Sequence, residues 1–209
     1  MSSYIPDPVI KRLPMYYRYL SEKEKENTLF ISSTELAQLM GLTASQVRQD
    51  VSAFGGEGRQ GCGYPVAEMR HHIGKLLGKS RVRTLTVIGM GNLGRALVRY
   101  ETFSQNSFQI ISAFDTNPKK TGIRMGAVTV RLMDELEETM REAPADIAVL
   151  TLPASAAQKA AERLYACGVR GFWNYAPVDL HLPQDAAVVS VHLDESLELL
   201  GYRLEHNEG

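Results

Sequence analysis

The sequence predicts an α/β protein in three parts. A winged helix-turn-helix domain occupies residues 1–80, a doubly wound parallel-sheet domain residues 81–191, and a C-terminal helix residues 192–209. Three observations predict it. Two short capped helices flank a glycine near residue 41, a glycine fingerprint is wedged between a strand and a helix start at residues 89–94, and strand and helix patterns alternate from there onward.

The fingerprint comes first because it constrains most. Thr84-Leu85-Thr86-Val87-Ile88 is short, apolar and β-branched, and Gly89-Met90-Gly91-Asn92-Leu93-Gly94 follows at once, giving G-x-G-x-x-G between strand and helix. Gly89 suits the tight turn, Gly91 lets a pyrophosphate approach the backbone, and Gly94 lets a helix over residues 95–103 pack close to the strand. The open amides of a helix start attract phosphate. A second strand, Phe108 to Phe114, ends in Asp115 about 20 residues beyond the turn, where a carboxylate accepts hydrogen bonds from a ribose diol and repels a 2′-phosphate. This is the Rossmann pattern, and it favours NAD(H), as NADH or NAD+, over NADP(H). Lys119 and Lys120 just beyond reach phosphate or solubilise a loop, and the loop reading is favoured.

With 44% hydrophobic and 22% charged residues among 209, the chain has enough apolar content for one large or two small cores. The net charge of −1 conceals a tilt: the first 80 residues hold ten Lys/Arg against eight Asp/Glu, and the rest thirteen against sixteen. That tilt is too small to identify a nucleic-acid partner by itself. Cys62 and Cys167 form neither a C-x-x-C pair nor a metal-ligand spacing, so reduced thiols and no metal are expected. Without a long apolar run or a signal-peptide core, no membrane association and a cytoplasmic location are expected.

In the N-terminal part, Asp7 can cap a helix with Pro8 at its first position. Val9, Leu13, Tyr16, Tyr17 and Leu20 share one face of a helix to about Leu20, Pro14 kinks it or starts a new turn, and residues 21–27 read as a solvated helix end or turn. Ser32 and Glu35 make a capping box for a second helix burying Leu36, Leu39 and Met40 and stopping at Gly41. Thr43 caps a third helix with Val47, Val51 and Phe54 inward. Its outward Ser45, Gln46, Arg48 and Gln49 are residue types that hydrogen-bond base edges and phosphates. The glycine-rich stretch from Gly55 to Tyr64 reads as a hairpin wing with Arg59 near its tip, placed to lay a cation beside the minor groove. Lys11, Arg12 and Tyr64 complete the expected DNA-binding set. A helix from Pro65 to Leu77, with Met69, Ile73 and Leu76 inward, leads to a linker at Gly78-Lys79-Ser80.

Beyond Asp115 the pattern gives a loop with a short strand at Val128 to Val130, a helix from Asp134 to Glu142 and a buried strand from Asp146 to Leu152. Pro153 then falls beside the first glycine turn, where doubly wound sheets hold ligands. A helix over Ala156 to Ala166 and a strand over Val169 to Trp173 bring Tyr175 and Ala176 to the next strand end, near a nicotinamide position. Tyr175 reads equally well as core packing. A last strand spans Val188 to Val191. Leu193, Leu197, Leu200 and Leu204 then repeat at helical spacing, more leucine than a solvated helix requires, so the helix either caps its own sheet or packs on a partner chain, and the partner is favoured.

These residues together resemble the Rex family of redox-sensing transcriptional repressors. The resemblance is carried by Lys11-Arg12-Leu13-Pro14, Tyr16-Tyr17-Arg18, Ser32-Ser33 with Glu35-Leu36, Gln46-Val47-Arg48 with Asp50, the wing from Gly58 to Val66, Gly89 to Leu97, and Asn174-Tyr175-Ala176-Pro177-Val178. It implies a homodimer with exchanged C-terminal helices that binds a palindromic operator with NAD+ or without cofactor and is released by NADH. It also implies that Arg48, Gln49 and Arg59 contact DNA and that Tyr100 lies near the subunit contact. Arg18 then pairs with an acid opening the C-terminal helix, and the sequence departs from the family where His192 stands at the place expected for that acid. A His there weakens the switch or makes it pH-sensitive, or simply makes one ordinary hydrogen bond.

Two other functions compete. A nicotinamide-dependent dehydrogenase needs a proton donor beside the ring, and His181 and His192 have no evident carboxylate partner in sequence. A CoA-binding protein shares the Rossmann fold, but CoA's 3′-phosphate conflicts with Asp115. The sequence therefore reads as a non-enzymatic redox-sensing repressor.

Overall fold

The N-terminal fold is built by helices that pool one apolar face each. In the computed structural model, which describes residues 5–206, the chain divides between Arg81 and Val82 into two compact units. In the first, α1 (Asp7–Lys25), α2 (Ser33–Met40), α3 (Ala44–Ala53) and α4 (Val66–Leu76) surround a core of Leu13, Tyr16, Leu20, Leu36, Val47, Val51, Met69 and Ile73. The capping box of α2 is present, with Ser32 Oγ accepting from the Glu35 amide at 3.1 Å, and Gly41 ends the helix in the left-handed region at φ 65°. Strands β1 (Phe30–Ile31) and β2 (Tyr64–Pro65) pair antiparallel, so the wing is anchored at its base by a segment upstream of α2. Its tip is a turn in which the Arg59 amide donates to Gly63 O at 2.7 Å.

Several local expectations are corrected here. The N-cap of α1 is Pro6, with Asp7 and Pro8 already inside, and the helix runs unbroken past Pro14 through the charged segment to Lys25. Pro14 is tolerated because it sits on the exposed side of α1, where water serves the carbonyl it leaves unbonded. Leu39 and Leu76 face outward, their places inside taken by Ala37 and by Leu77.

A buried polar centre ties α1 to α3. Arg12 donates from Nε and Nη2 to the two oxygens of Asp50 at 2.7 and 2.6 Å, and the Tyr16 hydroxyl donates to the same carboxylate at 2.9 Å. Burial, then the bond to Asp50, push the Tyr16 phenol well above its usual range. The carboxylate side chain is only 4% exposed, so its hydrogen bonds come from Arg12 and Tyr16 in place of bulk water.

The second unit is a seven-stranded sheet in the order β5-β6-β4-β3-β7-β8-β9. Its strands are β3 (Arg83–Ile88), β4 (Phe108–Asp115), β5 (Arg124–Met125), β6 (Val128–Leu132), β7 (Ile147–Leu150), β8 (Gly171–Asn174) and β9 (Ala187–Ser190). All pairs are parallel except the β5–β6 hairpin. From β6 to β9 this is the 3-2-1-4-5-6 order of a dinucleotide fold, with its switch point between β3 and β7. Alternation divides the apolar side chains between two cores: Leu85, Val87, Val130 and Val149 on one face, Ile88, Phe114, Leu150 and Phe172 on the other. Helix α8 (Ala154–Ala166) approaches the second face closely because Ala157, Ala160 and Ala161 are all it presents there along with Leu164.

Connections differ from expectation in three places. The helix after the glycine turn, α5 (Asn92–Val98), stops at Val98, and a separate single turn α6 (Thr102–Gln105) follows. Asp134 caps nothing: a 3₁₀ turn, Met133–Glu135, precedes α7 (Leu136–Glu142). The C-terminal helix α9 (Glu195–His206) buries none of its described residues.

Replacing Asp50 by Ala leaves the Tyr16 hydroxyl and Arg12 without their acceptor inside the first unit. Urea unfolding followed by circular dichroism is expected to show that unit losing about 3–5 kcal/mol.

Candidate functional site

The switch point of the sheet is where two loops meet, and the backbone there is packed too closely for side chains. A Cβ on Gly89, at φ 94°, would lie 2.6 Å from Thr151 O, and one on Gly94 would lie 2.0 Å from Gly89 O. Gly91 is different: a Cβ there meets nothing within 4 Å, so among the three glycines of the fingerprint it is the one that opens outward. The Thr151 hydroxyl donates to Gly89 O at 2.6 Å, and its amide donates to Ile88 O at 2.9 Å, joining the β7 end to the turn. Thr151 was not anticipated; its position one residue past β7, opposite the fingerprint, was the available signal.

One role at the turn is revised. Met90, expected to face a ligand, has its side chain in the core and its amide donating to Asp115 Oδ2 at 2.7 Å. The amides of Gly91, Asn92 and Leu93 remain at the outward side of the turn, and no side chain caps α5 among the described residues. These features fit a bound pyrophosphate: an open face over Gly91, beside helix-start amides without a competing cap.

Asp115 is at the end of β4, almost wholly buried. Besides the Met90 amide it accepts from the Asn117 amide at 2.8 Å and from Lys120 Nζ at 2.9 Å. Burial would raise its pKa, but the Asn117 amide, the Lys120 ammonium and the Met90 amide outweigh that and hold it below the usual carboxylate range. Lys120 is thus a partner of the carboxylate and not a loop solubiliser.

Pro153 precedes α8 at the mouth of the second loop and is exposed. Ala176 is buried, its amide donating to Asn174 Oδ1 at 3.0 Å, so its side chain cannot reach a ligand. Asn174, fully buried and unanticipated, also donates to Val178 O and Ser190 Oγ, which shapes the loop carrying Tyr175. Tyr175 is half-buried and packs on Trp173 at 4.9 Å between ring centroids. Trp173 meets Phe103 at 5.8 Å, and Phe103 meets the exposed Tyr100 at 5.1 Å. An aromatic chain therefore links the end of β8 with the end of α5.

In the first unit Ser45, Gln46, Arg48 and Gln49 of α3 are all exposed. Gln46 Oε1 accepts from the Thr43 amide at 2.9 Å, so it caps its own helix as well. Arg48 donates to Ser33 Oγ at 3.2 Å. Arg59 pairs with Glu68 at 3.0 Å, but both are more than half exposed, a pairing weak enough to yield to a phosphate. Tyr64 is half-buried, 3.1 Å from where a Gly58 Cβ would stand, and braces the wing. Lys11 is exposed. Arg12, also in the expected set, has Nε and Nη2 bonded to the two oxygens of Asp50, which fastens α3 to α1.

Arg18 is exposed, its guanidinium 4.6 Å from the Tyr19 ring centroid. His192 lies just ahead of the C-terminal helix. Helix α9 begins at Glu195, and Asp194 precedes it, its carbonyl accepting from the Leu197 and Glu198 amides at 2.9 Å. Leu193, Leu197, Leu200 and Leu204 are exposed by 53–71%.

A reading head of two helices and a wing, on the same chain as a dinucleotide fold with an open glycine turn, defines a ligand-responsive DNA-binding regulator. Two family models match: "CoA binding domain" over residues 82–178 and "Putative DNA-binding protein N-terminus" over residues 4–52. The redox-sensing transcriptional repressor Rex of Clostridium perfringens is 42% identical over 200 residues, covering 96% of this chain and 94% of that protein. Its namesake from Thermoanaerobacter sp. is 41% identical over 96% of this chain and 89% of its own length. Among solved structures, RSP, a Rex-family repressor, superposes with a TM-score of 0.90 at 38% identity, over 99% of this chain and 97% of that one. RSP in complex with NAD+ and operator DNA gives 0.91 at 40%, covering 99% and 95%. The chain belongs to the Rex family of redox-sensing transcriptional repressors.

The glycines separate two failures. Gly94→Ala is expected to lower the stability of the second unit by about 3 kcal/mol or more, since a backbone carbonyl blocks the new methyl. Gly91→Ala is expected to melt like the parent protein while NADH affinity, measured by calorimetry, falls at least about tenfold.

Proposed function

We propose that this chain represses transcription according to the NADH to NAD+ ratio. Two copies bind a palindromic operator when NAD+ or no cofactor is present, and NADH releases them. The observation that carries this reading is full-length similarity to a repressor solved with NAD+ and operator DNA and also with NADH. The open turn at Gly91 in a chain carrying a reading head supports it.

The chain's own groups take these roles. Amides of Gly91, Asn92 and Leu93 hold the pyrophosphate, Asp115 accepts from the adenosine ribose, and Pro153 and Tyr175 flank the nicotinamide end. The bound dinucleotide supplies no bond-making chemistry; its redox state is the signal, and the chain acts as a regulator and not as an enzyme. Arg48 and Gln49 read base edges with Ser45 and Gln46 beside them, while Lys11 and Arg59 hold phosphates. The leucines of α9 bury against a second copy, with Tyr100 near that contact, and Arg18 meets the segment that opens α9, where His192 stands in the place of the family acid, in one of two arrangements of the dimer. To move the population from almost wholly one arrangement to the other, NADH must prefer its own by about 10⁴-fold.

Fluorescence anisotropy on a palindromic operator tests this. Binding with NAD+ and release on adding NADH are expected; indifference to both cofactors would overturn it. Arg48→Ala should weaken specific binding by about 1–3 kcal/mol while sparing affinity for NADH. Leu197→Asp combined with Leu204→Asp should sediment as a monomer and lose the operator, yet still titrate with NADH.

A further inference from the structure

The carboxylate at the end of β4 is nearly saturated before any ribose arrives. An ionised carboxylate offers about four lone-pair positions. Three are taken on Asp115: Oδ2 by the Met90 amide at 2.7 Å and Lys120 Nζ at 2.9 Å, and Oδ1 by the Asn117 amide at 2.8 Å. The two amides belong to the glycine turn and the turn after β4, and neither can leave without deforming backbone. Lys120 is on a flexible stem with a side chain 40% exposed.

We propose that Lys120 sets how strongly this site discriminates between NADH and NADPH, an inference that rests on the NAD(H)-binding reading above. A ribose with both hydroxyls needs acceptor positions; one remains on Oδ1, and a second is freed if the lysine swings aside. The displaced ammonium stays tethered to the turn beside Asp115, on the side from which the ribose would approach. When that oxygen carries a phosphate, Asp115 repels it and Lys120 attracts it, so the carboxylate's rejection is partly offset. The unopposed exclusion expected of Asp115 alone is therefore reduced, and the lysine decides by how much. Lys119 provides a comparison within the same turn: it is exposed and makes no ion pair among the described residues, so it reports what a nearby positive charge does without reaching the carboxylate.

Calorimetric titrations of NADH and NADPH into the full chain test this. In Lys120→Met the ratio of the NADPH to the NADH dissociation constant is expected to rise at least about tenfold, chiefly through weaker NADPH binding. Lys120→Arg, which keeps the charge, and Lys119→Met should each stay within about twofold of the parent ratio. In the parent protein the NADPH affinity should fall more steeply with salt than the NADH affinity. An unchanged ratio in Lys120→Met, or equal weakening of both ligands, would overturn the role of Lys120 while leaving NAD(H) binding intact. Failure of the parent protein to bind NADH would remove both.

Discussion

Contact between backbone and backbone at the switch point governs the second unit. The β3 turn, the first turn of α5 and the residue after β7 meet with no room for a Cβ on Gly89 or Gly94, and Thr151 fastens the arrangement by two hydrogen bonds. Everything a ligand would meet follows from that closeness. Met90 is forced inward, its amide turns to Asp115, and Gly91 becomes the point where the chain faces outward. The acidic residue is thus a structural brace for the turn as much as a recognition element, which is why its lone pairs are nearly used up.

The first unit solves a related problem with charge. Helix α3 must present a polar outer face while being held to α1, and its apolar contacts are few: Val47 and Val51, with Phe54 at its end. Asp50, between those valines, receives three hydrogen bonds from α1. An ion pair of this kind adds little net stability compared with a greasy contact, but it has direction. Direction is what a helix that reads a groove requires.

Much of this was legible in the sequence. The alternation of strand and helix patterns gives the sheet, and the Ser32–Glu35 and Thr43 caps give the helix starts, because periodicity and capping are local properties. What was not legible depends on partners far away in the chain. Arg12 looks like a cation available for DNA until Asp50, 38 residues on, is beside it. Lys120, Thr151 and Asn174 have unremarkable neighbours in sequence and acquire roles only through the fold. Two-residue strands such as β1 and β5 carry no periodicity, and the charged end of α1 reads as solvated whether or not it is helical.

The aromatic chain from Tyr100 to Tyr175 passes through Trp173, the sole tryptophan of the molecule. Indole emission from this protein consequently originates at a single point, against the loop that carries Tyr175. Its spectrum is a built-in gauge of that neighbourhood, readable in dilute solution without attaching a dye.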